Sequence, residues 1–251
     1  MSRWAAAGAA TIFVALPWEA TPLAKHLGLS QSDVLDGATR YRKRGARVLL
    51  IQAGMGPEGV ARALALVDKP SILLSAGFCG GLSPAAGLAD IVIGSQVIGK
   101  AGSFPADPRL LDTASRSFKV LGCPFHVGPV LTVDEVVTPA GRMPERAAPE
   151  ILAVDMESAY LAEAAERHDV PFLAIRVVSD TPSNPWATEE RTFLKPNGRL
   201  KAAALATSLF RHPSRIARLL RLASALRPAT RRLAHGIEAI LNEVGVMETA
   251  K

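Results

Sequence analysis

Short, nearly continuous apolar runs alternate along this chain with segments of helical periodicity, and this alternation restricts the fold more than any other feature. Strands that are covered on both faces have such runs, because neither face meets water. Apolar residues recur at helical spacing in 57–67 and in 156–168. We therefore expect an α/β fold with a mixed, largely parallel central sheet flanked by helices. The predicted strands are 11–16, 47–53, 71–77, 90–98, 128–138 and 171–180.

One domain followed by a helical extension is the predicted organisation. The chain has 251 residues, of which 49% are hydrophobic, so it can bury a sizeable core. The segment 181–198 is rich in Pro and Asn and is typical of a loop. We therefore assign residues 1–198 to the α/β domain and residues 199–251 to an extension of three helical pieces, separated by Pro213 and Pro228.

The extension is strongly basic. Between Arg191 and His235 there are eleven Lys and Arg and no Asp or Glu. This pattern predicts either a surface helix with a solvated basic face or attachment to an anionic membrane surface. Nucleic acid is not an expected partner, because aromatic residues that would stack bases are missing. In a helix over 211–226, Arg211, Arg215, Arg218 and Arg221 share one side, and Ile216, Leu219, Leu220 and Ala223 the other.

Cysteine and histidine usage indicates a cytoplasmic protein without a metal. Cys79 and Cys123 are too few for a disulfide framework, so we expect reduced thiols. The apolar start "AAAGAATIFVAL" is expected to contain a buried first strand rather than a signal peptide, and no apolar run approaches the roughly 20 residues of a membrane span. The histidines, at 26, 126, 168, 212 and 235, lack the paired spacing of metal ligands.

The stretch "IQAGMGPEG", residues 51–59, fits the dinucleotide-binding pattern GxGxxG. That pattern also requires an acidic residue at the end of the next strand, which binds a ribose hydroxyl. The next strand ends instead in Ser75, Ala76 and Gly77. The dinucleotide fingerprint is therefore incomplete, and the glycines need another explanation.

Polar residues and glycines collect where predicted strands end, which is where open α/β sheets bind ligands. Glu19 follows the first strand in "ALPWEA", and Asp180 ends the last in "VVSDTP". Glu157 begins a helix in "VDMESAYLAEAA". Each has an ordinary structural explanation, as a helix cap, a partner of the helix dipole or a solvated side chain. Their order along the chain is more specific.

This order resembles the nucleoside phosphorylase and nucleosidase superfamily over about residues 11–182. The most specific parts are "VDMESAYLAEAA" and "RVVSD". The resemblance implies that Glu157, beside Met156, binds the ribose hydroxyls. It also implies that Asp180, preceded by Ser179, protonates or hydrogen-bonds N7 of a purine.

Three further segments complete the resemblance. "SAGFCGGL" is similar to the family's glycine-rich turn, which would place Ala76, Gly77 and Phe78 against base and sugar. "AGMG" is similar to the second-strand loop, with Met55 facing the 5′ side of the sugar. "LTVDEVV" matches the base-binding segment, where nucleosidases carry a stacking aromatic and this chain has Val136. Phe78 or Trp186 would have to supply that stacking.

The nucleophile distinguishes hydrolysis from phosphorolysis. Cleavage of an N-glycosidic bond puts positive character on the sugar and negative charge on the base, so an acid at the base and an anionic group at the sugar are needed. In the nucleosidases a glutamate at the position of Glu19 activates water. In the phosphorylases an arginine at the position of Ser75 binds phosphate. The resemblance therefore favours hydrolysis without a cofactor; phosphorolysis, with phosphate as co-substrate and "YRKRG" as its basic partner, is the alternative.

"LPWEA", "VDMES" and the basic extension together resemble the bacterial hopanoid-associated phosphorylases. This implies release of adenine from adenosylhopane in hopanoid biosynthesis, a lipid-linked substrate, peripheral contact with the inner membrane face and a homo-oligomer. A methylthioadenosine/adenosylhomocysteine or futalosine nucleosidase is the alternative within the class. A catalytically silent nucleoside- or lipid-binding protein is the alternative outside it. If the domain alone is the enzyme, a chain cut after residue 198 keeps activity on water-soluble nucleosides.

Overall fold

The computed structural model describes residues 9–68, 70–135, 150–183 and 214–247, with side chains of the last segment from Ser224 onward. These residues form ten strands and five helices. The strands are β1 (Ala10–Val14), β2 (Ser30–Leu35), β3 (Ala38–Arg42), β4 (Val48–Gln52), β5 (Ile72–Gly81), β6 (Ile91–Gly99), β7 (Gly102–Pro105), β8 (Phe125–Thr132), β9 (Ala153–Asp155) and β10 (Phe172–Asp180). The helices are α1 (Pro17–His26), α2 (Gly56–Leu64), α3 (Pro108–Val120), α4 (Ser158–Arg167) and α5 (Ser214–Glu243).

The strands form one mixed sheet that closes on itself at one side. Its centre is parallel, in the order β4–β1–β5–β10, and the antiparallel hairpin of β2 and β3 extends it beyond β4. On the other side β10 pairs with β6, β6 with β8, β8 with β9, and β9 returns to β5. The strands β5, β10, β6, β8 and β9 thus form a ring of five, and β7 pairs antiparallel with β6. The predicted mixed α/β sheet is confirmed, and the ring is a feature that the sequence patterns did not predict.

The two faces of the sheet are buried by different helices. Along β1, Ile12 and Val14 pack in a cluster with side chains of α1, α3 and α5. Phe13, which points the opposite way, packs in a second cluster with α2 and α4. Burial on both faces explains why the central strands are apolar at nearly every position.

Helix α5 is continuous through Pro228, so the predicted break at that proline is wrong. An internal proline costs about 3 kcal/mol, but fully burying an aliphatic side chain contributes about 1.5–3 kcal/mol. Ile237, Ile240 and Leu241 of α5 are all fully buried in the main core. Gly236 allows close packing, because a Cβ there would lie 2.2 Å from Cζ of Phe118 on α3.

Several other expectations need correction or lie outside the described residues. The glycine-rich stretch after residue 75 is not a turn, because β5 continues to Gly81. The strand predicted over 128–138 ends at Thr132. The boundary between residues 198 and 199 falls outside the described ranges and stays a prediction, as do the roles of the basic face over 211–223. No helix among the described residues combines the length and apolar character needed to cross a membrane.

Candidate active site

Glu19 is held at both carboxylate oxygens by backbone. Its Oε2 accepts a hydrogen bond from N of Leu16 and its Oε1 accepts one from N of Phe78, each at 2.7 Å. The residue lies in the first turn of α1 and is 6% exposed. Burial raises the pKa of Glu19 to about 7, although the two N–H donors act in the opposite direction. Glu19 can therefore take up and release a proton near neutral pH.

Gly77 makes room for this carboxylate. A Cβ at Gly77 would lie 2.6 Å from Oε1 of Glu19, and its φ of +146° is one that other residues rarely adopt. Ala76, the preceding residue on β5, is fully buried in the core, and Phe78 is half-buried. The predicted stretch of Ala76, Gly77 and Phe78 thus lies beside Glu19. The hydrogen bond from Phe78 to Glu19 is donated by the backbone N–H.

Glu157 lies directly before α4, and its Oε1 accepts a hydrogen bond from N of Gly56 at 2.9 Å. It is 5% exposed. Burial raises the pKa of Glu157 to about 7, and the guanidinium of Arg176 acts against this rise. Like Glu19, Glu157 is a buried carboxyl group whose charge depends on its immediate partners.

These contacts explain the glycines of "AGMGPEG". Gly56 has a φ of +71°, which favours glycine, and its N–H is donated to Glu157. A Cβ at Gly59 would lie 2.1 Å from O of Gly54. Because glycine has no Cβ, α2 can pack closely against the loop that precedes it. Met55 immediately precedes α2, and Cε of Met156 is 3.8 Å from the position of a Cβ on Gly56. The two predicted methionines therefore belong to one neighbourhood, next to Glu157.

Arg176 contacts Glu157 and its neighbours, and it was not predicted. It lies on β10, is 1% exposed, and donates through Nε to Oδ2 of Asp155 at 2.8 Å. Its Nη2 donates to Oγ of Ser75 at 2.6 Å and to Oγ of Ser158 at 2.8 Å, and lies 3.9 Å from Oε2 of Glu157. A charged residue in the middle of the apolar run "PFLAIRVV" is the sequence signal that could have identified it.

Asp180 ends β10 and is fully buried. The hydroxyl of Ser179 lies 2.9 Å from Oδ1 of Asp180 and 3.0 Å from O of Cys79, and can donate to either acceptor. Asp180 pairs with Gly80 of β5, two residues beyond Phe78, whose N–H binds Glu19. Two residues of a strand span roughly 7 Å, so Asp180 and Glu19 lie at the same end of the sheet.

The structure brings most of the predicted site residues together. Around the ends of β1, β5 and β10 lie Glu19, Ala76, Gly77, Phe78, Ser179 and Asp180, and around the starts of α2 and α4 lie Met55, Met156 and Glu157. Val136 and Trp186 lie outside the described residues. Asp134, which follows β8, contacts Lys100 and Tyr160.

This arrangement is suited to acid–base chemistry. Two buried carboxyl groups with a pKa of about 7 flank one buried guanidinium. A third carboxyl group, that of Asp180, has the Ser179 hydroxyl at hydrogen-bonding distance. Among the described residues no group of three or more His, Cys, Asp or Glu is placed to hold a metal ion. The two carboxyl groups with a pKa of about 7 can transfer protons near neutral pH, and together with Arg176 they can hold a polar ligand.

Known proteins share this fold and part of this sequence. The 5′-methylthioadenosine/S-adenosylhomocysteine nucleosidase of Anoxybacillus flavithermus is 26% identical over an alignment of 159 residues, and the match covers 54% of this chain and 68% of the relative. The nucleosidase of that name from Neisseria meningitidis, in complex with methylthio-immucillin-A, superposes with a TM-score of 0.69 and 18% identity, over 94% of this chain and 99% of that one. Futalosine hydrolase of Helicobacter pylori gives a TM-score of 0.69 and 15% identity, over 94% and 98% of the two chains. Residues 10–211 match the family model of the phosphorylase superfamily, and the chain belongs to that superfamily.

Proposed function

We propose that this protein is an enzyme that hydrolyses the N-glycosidic bond of a purine nucleoside. The observation that carries the proposal is the environment of Glu19, a buried carboxylate held by two backbone N–H groups and with a pKa of about 7. Such a group is suited to be the general base that activates water. The names of the relatives, which are nucleosidases and a hydrolase, support the same class of reaction.

In the proposed reaction each carboxyl group has one task. Glu19 takes a proton from water as the water oxygen bonds to C1′ of the sugar. The bond between C1′ and N9 breaks, and its electron pair moves to the purine. Asp180 donates a proton or a hydrogen bond to N7 of the leaving base, and Glu157 binds the ribose hydroxyls. The products are the free purine and the sugar, which now has a hydroxyl at C1′ and keeps its 5′ substituent.

The neighbourhood of Ser75 supports hydrolysis over phosphorolysis. Ser75 is fully buried, and its hydroxyl accepts a hydrogen bond from Arg176. Arg176 also donates to Asp155 and Ser158, so much of its hydrogen-bonding capacity is already used within the protein. A phosphate clamp needs cationic donors that face the ligand. Water, a neutral nucleophile, has no such requirement.

We also propose the substrate and the location. The motifs "LPWEA" and "VDMES", with the basic segment between Arg191 and His235, support adenosylhopane, whose 5′ substituent is a polycyclic lipid. A basic segment of this kind would hold the enzyme at the anionic inner face of a membrane. A homo-oligomer is part of the same proposal.

Adenine release from adenosylhopane in detergent, measured with and without phosphate, tests the reaction. We expect release without phosphate, and a loss of about 10²–10⁴-fold in kcat for Asp180→Asn. Asp112→Asn, at an exposed position of α3, is the matched control and keeps full activity. A strict phosphate requirement would contradict hydrolysis.

A competition between two nucleosides tests the substrate. We expect adenosylhopane in anionic vesicles to be cleaved in preference to methylthioadenosine. Rapid cleavage of methylthioadenosine beside no release from adenosylhopane would overturn the lipid assignment and leave the reaction class intact.

A further inference from the structure

The start of α4 is not capped by its own N-cap residue. The first four N–H groups of a helix have no partner within the helix, and the side chain of the N-cap residue usually accepts one of them. In α4 the N-cap residue is Glu157, and its side chain makes no capping hydrogen bond. Its Oε1 accepts instead from N of Gly56, at the start of α2. The first N–H groups of α4 therefore need other acceptors.

Thr132 and Asp155 supply those acceptors. Thr132, the last residue of β8, accepts a hydrogen bond from N of Ala159 at 2.9 Å. Ala159 is the second residue of α4, and its N–H is one that an N-cap side chain ordinarily binds. Oδ1 of Asp155 accepts from N of Glu157 at 3.4 Å and from N of Ser158 at 3.3 Å. Two side chains from the sheet thus do what the side chain of the N-cap residue does in most helices.

These two acceptors also hold each other in place. Thr132 and Asp155 face each other in the parallel pair of β8 and β9. The Thr132 hydroxyl donates to Oδ1 of Asp155 at 2.7 Å, and Nε of Arg176 donates to Oδ2 at 2.8 Å. A hydroxyl can donate one hydrogen bond and accept others, so Thr132 serves Asp155 and Ala159 together. Because Thr132 and Asp155 are both buried, water competes little for these hydrogen bonds.

We infer that Thr132 and Asp155 are positioning residues, which take over the capping of α4 and so leave the Glu157 carboxylate available for the sugar. The inference rests on the proposed function, in which Glu157 binds the ribose hydroxyls. A carboxylate at a helix start is attracted by the unpaired N–H groups and by the helix dipole. Without the Thr132 hydroxyl, the Glu157 carboxylate would be drawn to N of Ala159 and away from Gly56.

Crystal structures of Thr132→Val and Thr132→Ser test this inference without turnover. Valine has nearly the shape of threonine, but it cannot accept the N–H of Ala159. We expect the Glu157 carboxylate in Thr132→Val to leave N of Gly56 and to accept from N of Ala159. In Thr132→Ser, which keeps the hydroxyl, Glu157 should stay on Gly56. A Glu157 carboxylate that keeps its contact with Gly56 in Thr132→Val would overturn the inference.

The KM for adenine release is the second readout. Losing a hydrogen bond from a charged group to the sugar should raise KM by about tenfold in Thr132→Val, and Thr132→Ser should restore the wild-type KM. Thr132→Ala also lacks the hydroxyl and adds no bulk, so it should raise KM in the same way and replaces valine if that variant does not fold. A lower Tm with an unchanged KM would show a purely structural cap and overturn the positioning role.

Thr113→Val is the matched control. Thr113 is also a buried threonine, but it lies on α3, and its hydroxyl donates to Oε1 of Glu243 on α5 at 3.1 Å. Thr113→Val therefore loses a buried hydroxyl in another part of the fold. Its KM and the position of its Glu157 carboxylate should match those of the wild type.

The two readouts separate this inference from the proposed function. If the wild type releases no adenine, the proposed function fails, yet a Glu157 carboxylate that moves to Ala159 in Thr132→Val still supports the capping role of Thr132. If the wild type releases adenine and the carboxylate stays on Gly56 in Thr132→Val, the inference alone fails.

Discussion

Glu19 and Glu157 are equally buried, but their surroundings differ. Glu19 receives two backbone N–H groups at 2.7 Å and otherwise meets mostly apolar side chains of α1 and α5. Glu157 receives one N–H, from Gly56 at 2.9 Å, and lies 3.9 Å from the guanidinium of Arg176. The first environment suits a group that exchanges a proton, and the second suits an anion that binds hydroxyl groups.

The comparison also shows what Arg176 does. Its guanidinium donates to Asp155, Ser75 and Ser158 and lies 3.9 Å from Glu157. Its charge also acts against the rise in the pKa of Glu19 that burial causes. A buried cation with several partners compensates acidic groups that could not be buried alone. The polar surroundings of Glu157 therefore depend on Arg176 more than the surroundings of Glu19 do.

Exchanging each glutamate for glutamine gives the largest expected effects. Glu19→Gln removes the base, so kcat for adenine release should fall by about 10³-fold while KM changes little. Glu157→Gln removes a partner of the ribose, so KM should rise together with a fall in kcat. Steady-state kinetics of both variants measure the difference. Identical changes in KM would contradict the separate roles.

Replacing Arg176 should destabilise the whole protein. Arg176→Met leaves buried carboxylates uncompensated and should lower the free energy of unfolding by about 3–5 kcal/mol. Arg40→Met is the matched control, because Arg40 pairs with Asp33 at a partly exposed site, where such pairs contribute about 0–1 kcal/mol. Urea denaturation at neutral pH compares the two. Similar losses in the free energy of unfolding of both variants would show that the buried network around Arg176 does not add to stability beyond what a partly exposed pair adds.

Stability should fall as the pH rises from 5 to 8. The pKa of Glu19 and that of Glu157 are raised from an ordinary 4.5 to about 7 in the folded chain. The folded state therefore binds these protons more tightly, and the stability that they contribute is lost as the pH rises through 7. For Glu19 the shift corresponds to about 3 kcal/mol. Urea denaturation at both pH values should show a smaller fall for Glu19→Gln, and an unchanged fall for the exposed Glu58→Gln.

The sequence predicted the central strands because their pattern is local. Burial on both faces makes β1, β4, β5, β6 and β10 apolar, and all five lie where the apolar runs are. The hairpin of β2 and β3 was missed because it is mostly exposed and polar. The ring was missed because it depends on pairings between strands distant in the chain, such as β5 with β9.

Part of the candidate site could be proposed for the same reason. Glu19, Glu157 and Asp180 each stand in a local motif at an element boundary, and their roles stay predictions. Arg176 was missed because its importance comes from contacts with residues far away in sequence. α5 also contributes fully buried residues such as Ile237, so we now expect a chain cut after residue 198 to lose stability, and with it activity.

Gly77→Ala should give the smallest effect, and it tests only the Glu19 side of the comparison. The added methyl would lie 2.6 Å from Oε1 of Glu19 and 3.1 Å from Nη1 of Arg176, and the φ of +146° adds backbone strain. Since the carboxylate must move away from its N–H donors, kcat should fall by about 10–100-fold. Gly102→Ala is the control, because its φ of +140° is equally strained but nothing lies within 4 Å of the added methyl. If both variants lose the same activity, backbone strain rather than displacement of Glu19 is the cause. If only Gly77→Ala loses it, the position of that carboxylate limits the reaction.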